Sequence, residues 1–349
     1  MSERGDVVRR LVVNAARFSG LAPLLRRHLG SIGAILALRG VTATEPAGVG
    51  LERAHTISPD FLDAAISDMK RQGYRFVPLD EALERLAAGR RLPLFATVTA
   101  DFGYRNLLSD ALPVLESHSA PVTIYVCPGL TSGAVDMWWL VLERIVATAQ
   151  EIYLTTSAGR VAVDASTPPR KMDAWRRIRD WLLSDVAEGE RQQVVRDIAV
   201  LAGVDPAQPG REVLMTWDEL RAAAASPLVT IGAMPVNHRS LHRLGDDEAW
   251  YEMVDAARII EMELGRKPRH FAFAWGDEAA VGPREVEFAA AAGYASAVTA
   301  RESALLPSHG RNMHALPRLL LDGRRQNVAY LRALLSGVGA VAGGPESVV

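Results

Sequence analysis

The stretch FATVTADFGYRNLLSDALPVLESH, residues 95–118, joins a short β-prone run to a helical pattern. Residues 95–100 are apolar and prone to form a strand, and residues 106–118 have the apolar spacing of a helix. Pairs of this kind recur along the chain. Further candidate strands are residues 34–38, 74–78, 122–126, 229–233, 270–274 and 295–299. Alternating strands and helices predict an α/β fold with a mostly parallel sheet.

Helical patterns separate these runs. Beyond residues 106–118, helices are predicted over residues 59–71, 217–225, 246–264 and 283–292. Ser58 and Thr216 are candidate N-caps because each precedes a helical pattern with a side-chain oxygen that can accept a backbone hydrogen bond. Glu219 completes a capping box with Thr216.

Residues 131–212 break this rhythm, because their pattern is mainly helical, over residues 137–149, 171–187 and 190–201. We interpret them as an insertion between two strands. An insertion at the end of a strand in such a fold is placed to cap a functional site. The core domain is predicted to span residues 31–335.

The two ends of the chain have patterns of their own. Residues 6–28 are basic and amphipathic. Within residues 1–30 we therefore predict a helix packed on the domain, with peripheral contact to an anionic membrane surface as the alternative. Residues 336–349 are rich in glycine and small residues and are predicted to form a loose tail.

Composition limits the classes of function. Of 349 residues, 49% are hydrophobic and 23% charged, which excludes a wholly disordered chain. A formal net charge of −2 gives no overall attraction to nucleic acid. One cysteine, Cys127, cannot make an internal disulfide or a cysteine-based zinc site. The start of the chain lacks a secretory pattern, so we expect a soluble, cytoplasmic protein.

Several segments resemble the motifs of one enzyme family in the same order along the chain. TADFGYRN, residues 99–106, is similar to the first motif (TFDDGY) of the polysaccharide deacetylases, the NodB-homology proteins of carbohydrate esterase family 4. AMPVNH, residues 233–238, falls at the second motif (SHTxxH), and FAFAWG, residues 271–276, at the third (FAYPYG). The resemblance spans about residues 30–335. It implies a distorted (β/α) barrel with a helical insertion and a site at the carboxyl ends of the strands.

The resemblance also implies roles for single residues. In the family, the second Asp of motif one and both His of motif two hold a divalent, zinc-like metal. The first Asp is the general base, and a backbone N–H of motif three holds the oxyanion. Here Asp101 matches the base, Trp275 matches the oxyanion position and His238 matches one metal ligand.

Two positions depart from the metal-binding pattern. Phe102 and Met234 stand where the family has its other two ligands. Phenylalanine has no donor atom, and a thioether suits soft ions better than hard divalent ones. We therefore predict a deacetylase-like protein that acts on or binds acetylated amino sugars or polysaccharide, with a lost metal centre and weak or no activity.

Three alternatives use other residues. His242 lies four residues after His238, and on a helix the two imidazoles would share one face, where Asp101 would complete a rebuilt metal site for amide or ester hydrolysis. Cys127 and His238 would form a nucleophile and base, although we favour a buried cysteine at a strand end. The third alternative is a non-catalytic interaction protein that uses the insertion and the basic N-terminal segment.

Aromatic and basic residues near the motifs are candidates for saccharide binding, because aromatic faces stack on sugar rings. We assign Tyr104, Trp139 and Arg318 to this role beside Trp275. The alternative role for Arg318 is a salt bridge that ties the barrel closed. The alternative role for Asp101 is that of a structural cap instead of a base. The remaining assignments place Trp138, Trp175 and Trp181 in the core, and His309 and His314 at the surface.

Overall fold

The computed structural model describes residues 30–44, 55–89, 93–156 and 159–337. Its strands are β1 Gly33–Leu38, β2 Gly40–Val41, β3 Thr56–Ile57, β4 Arg75–Phe76, β5 Phe95–Asp101, β6 Val122–Val126, β7 Glu151–Thr156, β8 Gly159–Asp164, β9 Val229–Ala233, β10 His270–Ala272, β11 Ser296–Glu302 and β12 Leu316–Leu320. Seven of them form a closed parallel barrel in the order β1, β12, β11, β10, β9, β6, β5 and back to β1. β4 pairs with the first residues of β5. The predicted (β/α) barrel is confirmed.

Helices surround the barrel and fill the connections between its strands. They are α1 Pro59–Arg71, α2 Leu79–Ala87, α3 Leu112–Ser117, α4 Pro128–Thr131, α5 Trp138–Thr148, α6 Pro168–Ser184, α7 Arg191–Leu201, α8 Gln208–Val213, α9 Trp217–Ala223, α10 Asp246–Leu264, α11 Pro283–Ala291 and α12 Val328–Leu335. A π-helical turn over Leu107–Ala111 leads into α3. The predicted caps are confirmed, because Ser58 accepts from the backbone N–H of Phe61 and Thr216 forms a capping box with Glu219.

The barrel closes where β1 pairs with β5 over six residue pairs, from Gly33 with Phe95 to Leu38 with Ala100. Every residue of both strands is buried, as expected for parallel strands covered on both faces. Gly33 is needed at this seam, because a Cβ there would lie 2.7 Å from the Phe95 ring. An alanine at this position would therefore push the two strands apart.

The stretch between β6 and β9 differs in one respect from the prediction. It contains the expected helices, now α5, α6 and α7, but also an antiparallel hairpin of β7 and β8 that the helical interpretation missed. In β7, Ile152 and Leu154 are buried and their neighbours are not, which is the alternation of a half-buried strand. The hairpin and helices share a hydrophobic core separate from that of the barrel.

Most strand and helix boundaries agree with the predictions. β6, β9, α1 and α10 have the predicted limits, whereas the sequence patterns missed α2 and α12. Residues 1–29 and 338–349 lie outside the described residues, so the N-terminal helix, its membrane contact and the loose tail stay predictions, as does the cytoplasmic location. Among the described helices, none is long and apolar enough to cross a membrane.

Candidate functional site

A cavity of about 150 Å³ lies between the carboxyl ends of the barrel strands and the insertion. β5 carries Asp101 and leads into Phe102, β9 leads into Met234 and His238, and β10 leads into Trp275. The insertion adds aromatic side chains from α5 and α6. The aromatic residues that line the cavity are Phe102, Tyr104, Trp138, Trp139, Trp175, Phe273 and Trp275, and the polar ones are Arg39, His55, Asp101, Arg179, His238 and Arg318.

Three residues of this wall have an unusual backbone conformation. Phe102, His238 and Trp275 have φ values of +71°, +53° and +65°, and they make up three of the four non-glycine residues with positive φ in the described ranges. Left-handed φ costs a bulky residue on the order of 1–3 kcal/mol, and such residues cluster at functional sites. The loops after three strands therefore hold their side chains towards one point at an energetic cost.

Asp101 and Arg318 form a buried ion pair at the floor of the cavity. Arg318 Nη1 lies 2.7 Å from Asp101 Oδ1, and Nη2 lies 3.0 Å from Oδ2. The guanidinium also donates to the carbonyl of Thr299 and the hydroxyl of Thr99. Burial opposes its charge, but the Asp101 carboxylate outweighs that effect and raises the pKa of Arg318 above its ordinary value.

This pair changes the predicted roles of both residues. Four of the five N–H donors of Arg318 are used within the protein. Arg318 therefore makes the salt bridge considered as its alternative, while it also lines the cavity. Both oxygens of Asp101 accept hydrogen bonds from Arg318. The carboxylate therefore has no oxygen free of Arg318 with which to take a proton or bind a metal ion.

His238 is enclosed by aromatic rings. Its ring centroid lies 5.0 Å from that of Phe102, 5.0 Å from that of Trp139 and 5.4 Å from that of Trp275. Its Nδ1 is buried and has no hydrogen-bond partner in the described part of the chain. Burial, together with the charges of Arg39 and Arg191, lowers the pKa of His238 to about 3, so the imidazole is neutral at neutral pH.

The residues present do not fit the divalent metal that the fold implies. Phe102 places a ring beside His238, Met234 offers only a buried thioether, and Asp101 is paired with Arg318. Within residues 30–44, 55–89, 93–156 and 159–337, no group of three or more His, Cys, Asp or Glu side chains is arranged to hold a metal ion.

His242 does not line the cavity with Asp101 and His238, so the structure lends no support to a rebuilt metal site. Its side chain is 56% exposed, and its Nδ1 lies 3.2 Å from Glu285 Oε2. Residues Leu241–Arg243 form a single 3₁₀ turn, and His238 before it has a left-handed backbone. The helical spacing that would place both imidazoles on one face is therefore absent from this loop.

Cys127 is a buried cysteine directly after β6. Its Sγ lies 3.1 Å from the carbonyl oxygen of Pro235 and 3.2 Å from that of Val236, and these two acceptors share its single S–H. Burial raises the pKa of the thiol to about 12, which disfavours the thiolate that nucleophilic attack requires. The structure therefore does not support a Cys127–His238 pair.

Other assignments need smaller corrections. Trp138 and Trp175 are buried as predicted but also line the cavity, and Trp181 packs half-buried against the insertion core. His309 is buried and not at the surface, and its Nδ1 accepts a hydrogen bond from the backbone N–H of Leu306. His314 is half-buried, and its Nε2 lies 2.7 Å from the carbonyl of Tyr294.

Arg39 and His55 are cavity residues that the sequence interpretation missed. Arg39 directly follows β1, and the end of β1 lies at the same edge of the barrel as Asp101. The position of Arg39 directly after a predicted strand could therefore have indicated that it lies at the site. His55 lies just before β3, which pairs with β2 and not with the barrel, so no pattern pointed to it.

Comparisons with known proteins bear on the fold. No protein-family model and no curated protein matches the chain. Solved structures do match it. The Streptococcus pyogenes deacetylase PplD in complex with acetate is similar at 16% identity and a TM-score of 0.56, over 86% of this chain and 97% of that one.

Two further solved structures also match most of this chain. IcaB from Ammonifex degensii matches at 15% identity and a TM-score of 0.52, over 87% of this chain and 98% of that one. BC0361, a polysaccharide deacetylase from Bacillus cereus, matches at 13% identity and a TM-score of 0.53, over 87% and 68%. The chain therefore has the polysaccharide-deacetylase fold.

Proposed function

We propose that this chain, built on the polysaccharide-deacetylase fold, binds acetylated amino sugars in its cavity and has lost metal-dependent deacetylation. The observation that carries the proposal is the packing of the Phe102, Trp139 and Trp275 rings around His238. Aromatic side chains fill the corner where the family resemblance expects an ion and its ligands. A sugar-binding cleft remains, with weak catalysis or none.

Weak catalysis follows from the chemistry of water and of Asp101. A metal ion lowers the pKa of bound water from 15.7 to about 7. Without the metal, a side chain of the protein must remove a proton from water whose pKa is still about 15.7. A carboxylate with a reference pKa of about 3.9 is a poor base for that task. Arg318 also occupies both oxygens of Asp101, so neither oxygen is free to take a proton from water.

The wall of the cavity supports saccharide binding. Trp139 and Trp275 are half-buried and line it, which leaves part of each indole for contact with a ligand. Aromatic walls with a few polar groups are typical of small-molecule sites. The backbone N–H of Trp275 donates to no acceptor among the described residues and is available to an acetyl carbonyl.

Calorimetric titration of the full chain with tetra-N-acetylchitotetraose tests the binding. We expect saturable binding that Trp139→Ala removes and that Tyr251→Ala leaves unchanged, because Tyr251 is 62% exposed on α10, outside the cavity lining. Unchanged binding in Trp139→Ala would exclude the cavity as the site.

Acetate release and metal content test the loss of catalysis. With zinc, cobalt or nickel added, we expect no stoichiometric metal on the purified protein and no release of acetate from the same oligosaccharide. Stoichiometric metal together with acetate release would contradict the proposal and favour an active hydrolase.

A further inference from the structure

Arg39 is the cationic side chain of the cavity that the described part of the chain leaves without a partner. It follows β1 and lines the cavity beside His55 and His238. Its Nε is buried and makes no hydrogen bond, and no described carboxylate forms an ion pair with it. A buried donor of this kind usually has a partner, because the loss of its contact with water is otherwise uncompensated.

The other cations of the cavity are neutralised. Arg318 is paired with Asp101 inside the wall, and Arg179 is paired with Asp180, its sequence neighbour on α6. Asp101 is the one carboxylate among the residues that line the cavity. The charge of Arg39 is therefore left uncompensated by the lining.

The histidines near Arg39 add no charge of their own. Burial and the nearby charge of Arg39 lower the pKa of His55 and of His238 to about 3, so both rings are neutral at neutral pH. The Nδ1 of each ring is buried and also lacks a partner in the described ranges. Among the described residues, the cavity thus combines one uncompensated cation, two neutral imidazoles and several aromatic faces.

We propose that the cavity selects acidic saccharides, with a carboxylate or phosphate of the sugar bound by Arg39 and the sugar ring against Trp139 and Trp275. This proposal rests on saccharide binding in the same cavity. A guanidinium binds a carboxylate or a phosphate through two parallel N–H donors. The ligand is therefore an N-acetylated sugar that carries one of these two oxyanions. A neutral chito-oligosaccharide offers Arg39 no such partner.

The test compares neutral and acidic sugars on the full chain by calorimetric titration. One pair of probes is tetra-N-acetylchitotetraose and a hyaluronan tetrasaccharide, which carries carboxylates. The other pair is N-acetylglucosamine and N-acetylglucosamine 1-phosphate. We expect the acidic member of at least one pair to bind about tenfold to hundredfold more tightly, which is the range for a charge-assisted hydrogen bond. The pair that shows the difference identifies carboxylate or phosphate.

Two variants and a control assign the preference to Arg39. Arg39→Met should abolish the preference for the acidic sugar while it changes the affinity for the neutral one by less than about threefold, since its aliphatic stem is kept. Arg39→Lys should retain part of the preference, because it keeps the charge without the planar fork. Arg176→Met, on the exposed face of α6, should retain all of it. Thermal melting confirms that each variant is folded.

The outcomes separate this proposal from the one on which it rests. Equal affinity for neutral and acidic sugars, with binding still lost in Trp139→Ala, would overturn the acidic preference and leave saccharide binding in place. A preference that survives in Arg39→Met would also overturn it. Binding of neither class of sugar would overturn both proposals.

Discussion

Asp101 and Arg318 are paired across a strand that separates them in the barrel. β5 and β12 are not neighbours, because β1 lies between them, yet both oxygens of Asp101 accept from the guanidinium at 2.7 and 3.0 Å. Both side chains are buried. The pair therefore holds together the part of the barrel where the first and last strands meet, directly below the cavity.

Removal of one partner from this pair should destabilise the fold. Arg318→Met leaves a buried carboxylate without its counter-ion, for which we expect a loss of about 3–5 kcal/mol in the free energy of unfolding. Urea denaturation followed by circular dichroism measures this change. The double variant Asp101→Asn with Arg318→Met should recover part of the loss, because no buried charge remains.

A matched surface variant provides the control for that experiment. Arg258 pairs with Asp255 on α10, and both side chains are largely exposed. Arg258→Met should leave the urea midpoint unchanged, since exposed ion pairs contribute little to stability. If Arg318→Met were equally neutral, the pair would not be the buried contact described here.

Restoring the two missing ligand types should create a metal site. Phe102→Asp combined with Met234→His places a carboxylate and a second imidazole beside His238 at the floor of the cavity. Two imidazoles and a carboxylate are a common ligand set for hydrolytic zinc. We expect stoichiometric zinc in titration calorimetry for the double variant and none for Phe102→Leu with Met234→Leu. A folded double variant that binds no zinc would show that these positions do not correspond to the family's ligands.

His238 should make stability depend on pH. Because its pKa is about 3 in the folded protein and about 6.5 when unfolded, the unfolded state binds more protons between these values. Its contribution to stability is therefore complete above about pH 6.5 and falls by about 1.4 kcal/mol per pH unit below it. His238→Phe should reduce the slope of unfolding free energy against pH by about one proton between about pH 4.5 and 6. Equal slopes for the two proteins would contradict the burial of a neutral imidazole.

Cys127 should be unreactive in the folded protein. Its thiol is buried and lies within hydrogen-bond distance of two carbonyls, and burial raises its pKa to about 12. We expect a disulfide reagent such as dithiobis(nitrobenzoate) to label it more than about a hundredfold more slowly in buffer than in denaturant, because the thiolate is the reacting form. Rapid labelling of the native protein would indicate an accessible thiol and reopen the nucleophile alternative.

The strands and helices could be predicted because their signals are local, whereas their closure into a barrel was expected only from the family resemblance. The β-prone runs and the capping residues Ser58 and Thr216 lie next to the elements they define, so sequence spacing was sufficient. The β7–β8 hairpin was missed because its short alternating strands lie within a mostly helical stretch. His309 was misplaced for a similar reason, since its buried bond to the Leu306 backbone depends on the geometry of one turn.

The site was only partly predictable because its contacts are distant along the chain. Asp101 and Arg318 are 217 residues apart, and the rings around His238 come from three separate segments. The motif positions identified Asp101, Phe102, Met234 and His238 as neighbours. No spacing could show that Arg318 would occupy both oxygens of Asp101 or that Arg39 would lack a partner among the residues that the structure describes.

The two walls of the cavity come from different parts of the chain. The barrel provides Asp101, His238 and Arg318, whereas the stretch between β6 and β9, which has its own core, provides Trp138, Trp139 and Trp175. The charged floor and much of the aromatic wall are thus encoded in different segments of the chain. Exchange of that stretch between proteins of this fold would replace the Trp138, Trp139 and Trp175 side of the cavity, while Arg39 and the closure of the barrel at β1 and β5 stayed intact.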